Sequence, residues 1–255
     1  RWLEGGDPWL LPESGAVYAA PPPTLLAMVP FAVIPEALAR PLLLALGVAA
    51  SVWMIRRLKL PYWWLAFPPL VDGLWIANPH VFVAPLLVAG LAPLAVIVKL
   101  YAGAVPAIRL EWKALAATAV LLLVTAPFLP WGLFIERWPD VSRALSDQSA
   151  GGGLSVWVTP LLVPIAVVAA LVLGRERRAW WAVPVFWPYT QWYYSALALP
   201  VLTPLAAVAL SVPVPGATTV ALVIAVAEVS WIARRKRRSS EQPPGPDPLP
   251  IRPAS

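Results

Sequence analysis

Three ionisable side chains stand inside apolar runs, where a charge is costly and is a functional candidate by default. They are Asp72 in "FPPLVDGLWIANPH", His80 at the end of that stretch, and Lys99 in "AVIVKLYAGAV". Asp72 has the chemistry of an acid/base group or of an acceptor-binding carboxylate. It also reads as a carboxylate at the wet interface or paired within a bundle. His80, the single histidine, follows Asn78 and Pro79. A side-chain cap followed by proline is a helix-start pattern. Free N–H groups there, beside an imidazole, can hold a phosphate; the alternative is an interfacial histidine without a ligand. Lys99 can pair with a lipid-linked phosphate as a point charge or snorkel to the cytoplasmic interface.

A fourth candidate is "PVFWPYTQWYYSALALP", where Gln191, Trp192 and Tyr193 follow a break at Pro188, with Trp187, Tyr189 and Tyr194 alongside. Aromatic faces with hydroxyl and amide groups suit sugar rings, and they also suit a membrane-interface belt. Glu228 is expected to pair locally with Arg234 or Arg235. A metal site is not expected, because there is one histidine and no cysteine. No cofactor is expected either. The glycines at 151–153 read as a flexible loop, since no strand precedes them and no Gly-Lys-Ser/Thr follows. No Ser/His/Asp triad can be assembled.

The elements that must position these residues are apolar. The chain is 60% hydrophobic and 13% charged over 255 residues, too little charge to clothe a soluble domain of this size. The fold class expected is an all-α polytopic membrane protein. Uncharged runs at Ala114–Ile135 and Leu154–Leu173 are each long enough for one crossing. Pro35–Ile55 reads as a crossing with Arg40 near its outer end. Pro61–Val98 should hold two, turning near Ala77–His80, and Ala179–Ala227 two more, divided near Ser211–Gly216. The stretch Leu91–Arg109 fits either the end of a crossing or a separate short helix. About seven crossings result.

Basic clusters "RRLK", "RLEWK", "RERR" and "RRKRR" mark the cytoplasmic side. The net charge of +6 therefore serves topology and membrane lipids rather than nucleic acid. Residues 1–16 and 136–153 read as extracytoplasmic loops, 17–233 as the transmembrane domain, and 234–255 as a cytoplasmic basic cluster with a disordered Pro-rich tail. The expected location is the cell membrane, multi-pass, with a cytoplasmic C-terminus. Many of the 32 prolines fall inside apolar runs, where broken backbone is tolerated only against protein or a wet cavity. The proline-led stretch "YAAPPPTLLAMVPFAVIP" reads as a short helix dipping in from outside, begun near Pro23 and broken again at Pro30 and Pro35.

The order of motifs resembles glycosyltransferase family 87, whose members are polyprenyl-phosphate-sugar-dependent, GT-C type membrane enzymes, many of them mannosyltransferases. The residues that carry the resemblance are "GGDPW", Tyr18 followed by Pro21–Pro23, "PFAVIPEALA", "ANPHVFVAPLL", Lys99, "SDQSAGGGLSVW" and "PVFWPYTQWYYSALALPVL". They cover most of residues 4–210. Some positions depart from the family pattern. Ala77 replaces a glycine before Asn78, Tyr193 stands where histidine is common, and Asp147 where asparagine is common.

The resemblance implies transfer of a hexose, mannose first, from a polyprenyl-phosphate donor to an acceptor hydroxyl on a glycolipid or glycan at the extracytoplasmic side. Asp72, Asn78, His80, Lys99, Gln191, Trp192 and Tyr193 are then substrate-binding. The family's catalytic aspartate lies upstream of the "GGDP" element, so none is assigned within this sequence. The start shows no signal-peptide pattern, and the natural chain is expected to extend before Arg1. The rivals are a transporter or flippase, which usually shows internal repeats not visible here, and a structural membrane protein.

Overall fold

The computed structural model describes residues 2–9, 20–150 and 154–241. Among them the regular elements are helical and no strand forms. Tyr18, the glycines at 151–153 and the Pro-rich tail beyond Glu241 lie outside the described residues.

Helix α1 is Pro23–Ala32 and α2 is Glu36–Arg57. The start at Pro23 matches the sequence pattern, because proline at the first turn gives up only an N–H that a helix start leaves free anyway. Pro30 does not break α1, which runs through it and ends two residues later. Pro35 makes the break, sitting in extended conformation as the cap of α2. The following helices are α3 (Pro68–Trp75), α4 (Val83–Val88), α5 (Ala92–Val98) and α6 (Ala104–Arg109). The two crossings expected within Pro61–Val98 are thus short pieces joined by 3-10 turns, with prolines opening α3 and α5. The turn itself falls at Ala77–Asn78, as expected.

Ala77 adopts φ 51, in the left-handed region. That conformation costs an alanine about 1–2 kcal/mol, and glycine avoids most of it while losing about 0.5–1 kcal/mol to unfolded-state entropy. Ala77→Gly should therefore stabilise the protein by ~0.5–1 kcal/mol. Thermal unfolding in detergent should show a higher midpoint; an unchanged or lower midpoint would contradict the strain.

Helix α7 (Trp112–Thr125) continues into a 3-10 turn at Ala126–Phe128 and then meets α8 (Trp131–Ala150). The chain bends by 102° between Trp112–Phe128 and Trp131–Asp147. Ala114–Ile135 is therefore not one straight crossing, because Pro127 and Pro130 remove the donors that would carry a helix through. The segment from Glu136, read as a loop, is helical as far as Ala150.

Beyond it come α9 (Val163–Val172), α10 (Arg175–Phe186), a 3-10 segment Trp192–Val201, α11 (Pro204–Leu210) and α12 (Ala217–Glu241). The division expected at Ser211–Gly216 is present. Helix α12 carries the basic cluster inside its last turns rather than after them. Glu228 makes no pair with Arg234 or Arg235. Those lie six and seven residues on, nearly two turns away, whereas helical neighbours stand three or four apart. Arg234 instead donates to the Ser230 carbonyl, and Arg235 lies over the Trp231 ring.

Among the described residues, two helices are long and apolar enough to cross a bilayer, Ala37–Arg57 and Ala217–Arg235, and the bent pair makes a third if it is one span. These fit a membrane protein. The other runs expected to cross are shorter helices separated at prolines and turns.

The main core joins Trp64, Phe67, Trp180 and Trp181 to Leu197 and Leu199 of the long 3-10 segment. Small residues Ala206, Ala207, Ala221 and Ala225 let α11 and α12 approach closely. At one end Arg109 pairs with Glu176 at 3.0 Å and with Glu111 at 3.5 Å, and its guanidinium lies 5.0 Å from the Trp180 ring centre. This contact brings the "RLEWK" and "RERR" clusters together. A separate small core holds Trp9, Leu25 and Val141, with Leu133, Phe134 and Leu145 packed against it.

Candidate functional site

The helical run breaks at Lys99. Its backbone is extended (φ −152, ψ 120) between α5 and the 3-10 turn Leu100–Gly103. A break exposes carbonyls at the end of α5. Thr24 of α1 caps them, donating to the Ile97 carbonyl at 2.7 Å and the Val98 carbonyl at 3.2 Å. The start of α1 is thereby fixed beside Lys99.

Lys99 faces a cavity of about 560 Å³. Pro21, Leu100 and Tyr101 form one side, Trp187, Pro188, Tyr189 and Tyr194 a second, and Phe134, Ile135, Trp138 and Leu145 of α8 a third. Lys99 is the one formally charged side chain among the lining residues, and it makes no ion pair or hydrogen bond with any described residue. The residues that line the cavity with it belong mostly to α8 and to the Trp187–Tyr194 segment.

His80 is buried, at 2% exposure, behind this wall. Its backbone N–H donates to Asn78 Oδ1 at 2.9 Å, so this N–H is already satisfied and cannot serve a phosphate. Its Nδ1 hydrogen-bonds the Tyr101 hydroxyl. Its ring packs against Tyr193 and Tyr194, with centroids 5.3 and 4.9 Å away. The Tyr193 ring also lies 4.9 Å from that of Tyr194, and Tyr193 comes up against α3 next to Asp72. Gly73 makes that approach possible: a Cβ there would sit 3.3 Å from the Tyr193 Cβ and 3.1 Å from Val81 Cγ1.

The structure thus gathers Asn78, His80, Tyr193 and Lys99 into one neighbourhood, with Asp72 at its edge. Only Lys99 lines the cavity. The Trp192 indole donates to the Leu210 carbonyl at 2.7 Å, anchoring the 3-10 segment to the end of α11. Gln191 accepts the Tyr194 backbone N–H at 3.0 Å at the start of that segment and is not a lining residue.

A scan against protein-family models, a search of curated proteins and a search of solved structures each found no match for this chain. The chemistry of the site therefore rests on its own residues. A lone ammonium beside phenol hydroxyls, in an otherwise apolar and aromatic cleft, can hold one anionic group attached to an apolar chain. No carboxylate or imidazole is among the lining residues.

Sequence reasoning passed over Tyr101 and the α8 face. Tyr101 stands two residues from Lys99 with its own hydroxyl in an apolar run, which was the available signal. Phe134, Ile135, Trp138 and Leu145 gave none, because their segment read as part crossing, part loop.

The roof of the cavity is held from the N-terminal side. Asp7 Oδ2 accepts from Arg137 Nε at 2.8 Å, and Asp7 Oδ1 accepts the Trp9 backbone N–H at 2.9 Å. The Trp9 indole N–H donates to the Ala20 carbonyl at 2.9 Å, and its ring lies 5.2 Å from that of Phe134. The "GGDPW" element is thus a strap across α8. A second cleft of about 430 Å³ between α9 and α12 is lined by apolar residues alone.

Proposed function

We propose that this chain belongs to an integral-membrane hexosyltransferase that takes its sugar, mannose first, from a polyprenyl-phosphate donor and works on the extracytoplasmic side. The observation that carries this reading is convergence. Three stretches that carry the family resemblance line one cavity, the proline-led opening through Pro21, Lys99 and the Trp187–Tyr194 segment, and "GGDPW" packs against α8, which lines it too. Its single cation and aromatic walls suit a phosphate on an apolar chain. The seven-crossing topology, the cytoplasmic C-terminus and membership of family 87 belong to the same proposal.

In such a reaction an acceptor hydroxyl attacks the anomeric carbon and loses its proton to a carboxylate base. The bond from that carbon to the phosphate oxygen breaks, and the polyprenyl phosphate leaves with the electron pair. Lys99 would offset the charge that develops on that oxygen. No residue of this sequence is assigned as the base.

The longest natural chain containing this sequence, reconstituted in liposomes, tests the reading. With polyprenyl-phosphate [14C]mannose and a glycolipid extract, label should move from the donor to the acceptor fraction. Label that crosses the bilayer while staying on the polyprenyl carrier would instead establish a flippase.

A further inference from the structure

Helices α9 and α12 run side by side in the same direction. Near their starts, a Cβ at Gly216 would lie 3.0 Å from Leu162 Cδ1, and Thr218 Oγ1 donates to the Leu154 carbonyl at 2.6 Å. Further along, Val172 of α9 and Val226 of α12 line the same apolar cleft of about 430 Å³. Of its lining residues, Ile165, Val168, Val172 and Val223 are exposed, so the cleft opens outward rather than into the core. Along α9 it runs from Pro164 to Val172, about 12 Å of helix. One leaflet of hydrocarbon is about 15 Å deep, half of a ~30 Å core. The cleft thus matches most of the length of an acyl chain within one leaflet.

Both helices lead from the cleft to arginines. Beyond Val172 the chain turns at Gly174 (φ 76) and opens α10 with Arg175 and Arg177, both exposed. Beyond Val226, α12 simply continues. Val223, Ala227, Ser230 and Arg234 follow at helical spacing, so Arg234 lies on the stripe of Val223 about three turns on. Its side chain reaches back: Nε donates to the Ser230 carbonyl at 3.4 Å. Arg235 folds back the same way, with its guanidinium 5.4 Å from the Trp231 ring centre. Both charges are therefore drawn along α12 toward the cleft. Among the described residues, Arg175, Arg177, Arg234 and Arg235 make no ion pair with a carboxylate. Glu176, which stands between two of them, is taken by Arg109. Glu228 shares a helix face with the buried Ala221 and Ala225 and has a buried carboxylate oxygen, so it looks into the core and away from the cleft.

We propose that the cleft between α9 and α12 is a binding site for one anionic phospholipid, with an acyl chain along Val168, Val172 and Val223 and the phosphate held by Arg175 and Arg234. Unpaired guanidinium groups at one end of an apolar groove suit an amphiphile that carries its negative charge at one end. A small soluble anion has no use for the groove, and a headgroup with its own cation would set that cation against the arginines. The site is separate from the Lys99 cavity and does not rest on the proposed function. It requires only that the end of α12 meet a membrane surface.

Native mass spectrometry of the full chain in detergent counts the lipid. The probes are dioleoyl phosphatidylglycerol and dioleoyl phosphatidylcholine, which share acyl chains and differ in net charge. A Lys99→Met background removes the cation of the other cavity. In it, one phosphatidylglycerol should bind, and more tightly than phosphatidylcholine. Arg175→Gln with Arg234→Gln should weaken phosphatidylglycerol about thirtyfold, the worth of two basic residues near an anionic surface, and leave phosphatidylcholine unchanged. Val168→Trp fills the cleft without touching a charge and should weaken both lipids. Arg56→Gln with Arg57→Gln, in a different basic cluster, should alter neither.

Equal binding of the two lipids, or phosphatidylglycerol binding that survives loss of Arg175 and Arg234, would overturn the proposal. So would a loss caused by the arginine changes but not by Val168→Trp, which would describe a diffuse basic surface. If Val168→Trp fails to fold, Val223→Phe must weaken both lipids in its place. If Lys99→Met alone removed the bound phosphatidylglycerol, the lipid would belong to the Lys99 cavity and the proposal would fall. A lipid-free dimer dispersed by the same cleft-filling change would give the cleft to a second copy of the chain instead.

Discussion

Lys99→Met is expected to abolish tight binding of an anionic lipid while making the empty protein more stable. The two effects have one cause. The ammonium sits at a cavity wall with no counter-charge among the described residues, so in the empty state its lost hydration is not offset by an ion pair. A methionine of similar length removes that cost, and unfolding in detergent should become harder by about 1 kcal/mol. With an anion bound, the same ammonium is the only formal charge on the wall. Truncating one partner of a desolvated charge pair costs about 2–5 kcal/mol, which is roughly a 30- to 5,000-fold loss of affinity. Lys99→Arg keeps the charge on a larger, planar group and should retain part of the binding. Competition with radiolabelled dodecyl phosphate, paired with a melting curve, reads both effects. If Lys99→Met bound the phosphate as well as wild type does, Lys99 would not belong to the site.

Trp9→Ala is expected to release α8 from the cavity. Trp9 is 1% exposed and is the largest member of the small core that joins the "GGDPW" strap to α8. Deleting a buried tryptophan side chain costs about 3–5 kcal/mol. Asp7–Arg137 is the other fastening, with side chains 16% and 35% exposed, and an ion pair near the surface is worth up to about 1 kcal/mol. Asp7→Asn should therefore do little where Trp9→Ala does much. The chain has no cysteine, so a single Leu145→Cys substitution reports α8 cleanly. Maleimide should label that cysteine at least about tenfold faster in the Trp9→Ala background, since a local opening costing 1.4 kcal/mol less is tenfold more populated. Equal labelling rates in the two backgrounds would show that α8 is held by contacts other than the strap.

Proline accounts for most of what the sequence made legible. It placed the start of α1 at Pro23, the cap of α2 at Pro35 and the turn before Pro79, because a fixed φ and a missing N–H act within one or two residues. It also misled. Pro30 sits inside α1, and Pro127 with Pro130 turns an uncharged run that is long enough to cross into a corner. A run that is apolar on every face carries no amphipathic signal, so nothing local says whether it goes straight or folds back.

The sequence by itself determined the helical, membrane-type class, the long apolar helix after Pro35, the principal turns and the isolation of Lys99. Each follows from composition or from chemistry that acts over a few residues. The tertiary structure alone decided that α8 roofs a cavity, that Trp9 holds it there, and that Tyr101 meets His80 and Tyr194. Those contacts join residues far apart in the chain, and their partners are chosen by packing and by the need to satisfy buried polar groups. Neither leaves a pattern within any one segment. Tyr101 and Tyr194 each look like one more interfacial aromatic until the fold packs both against the same histidine.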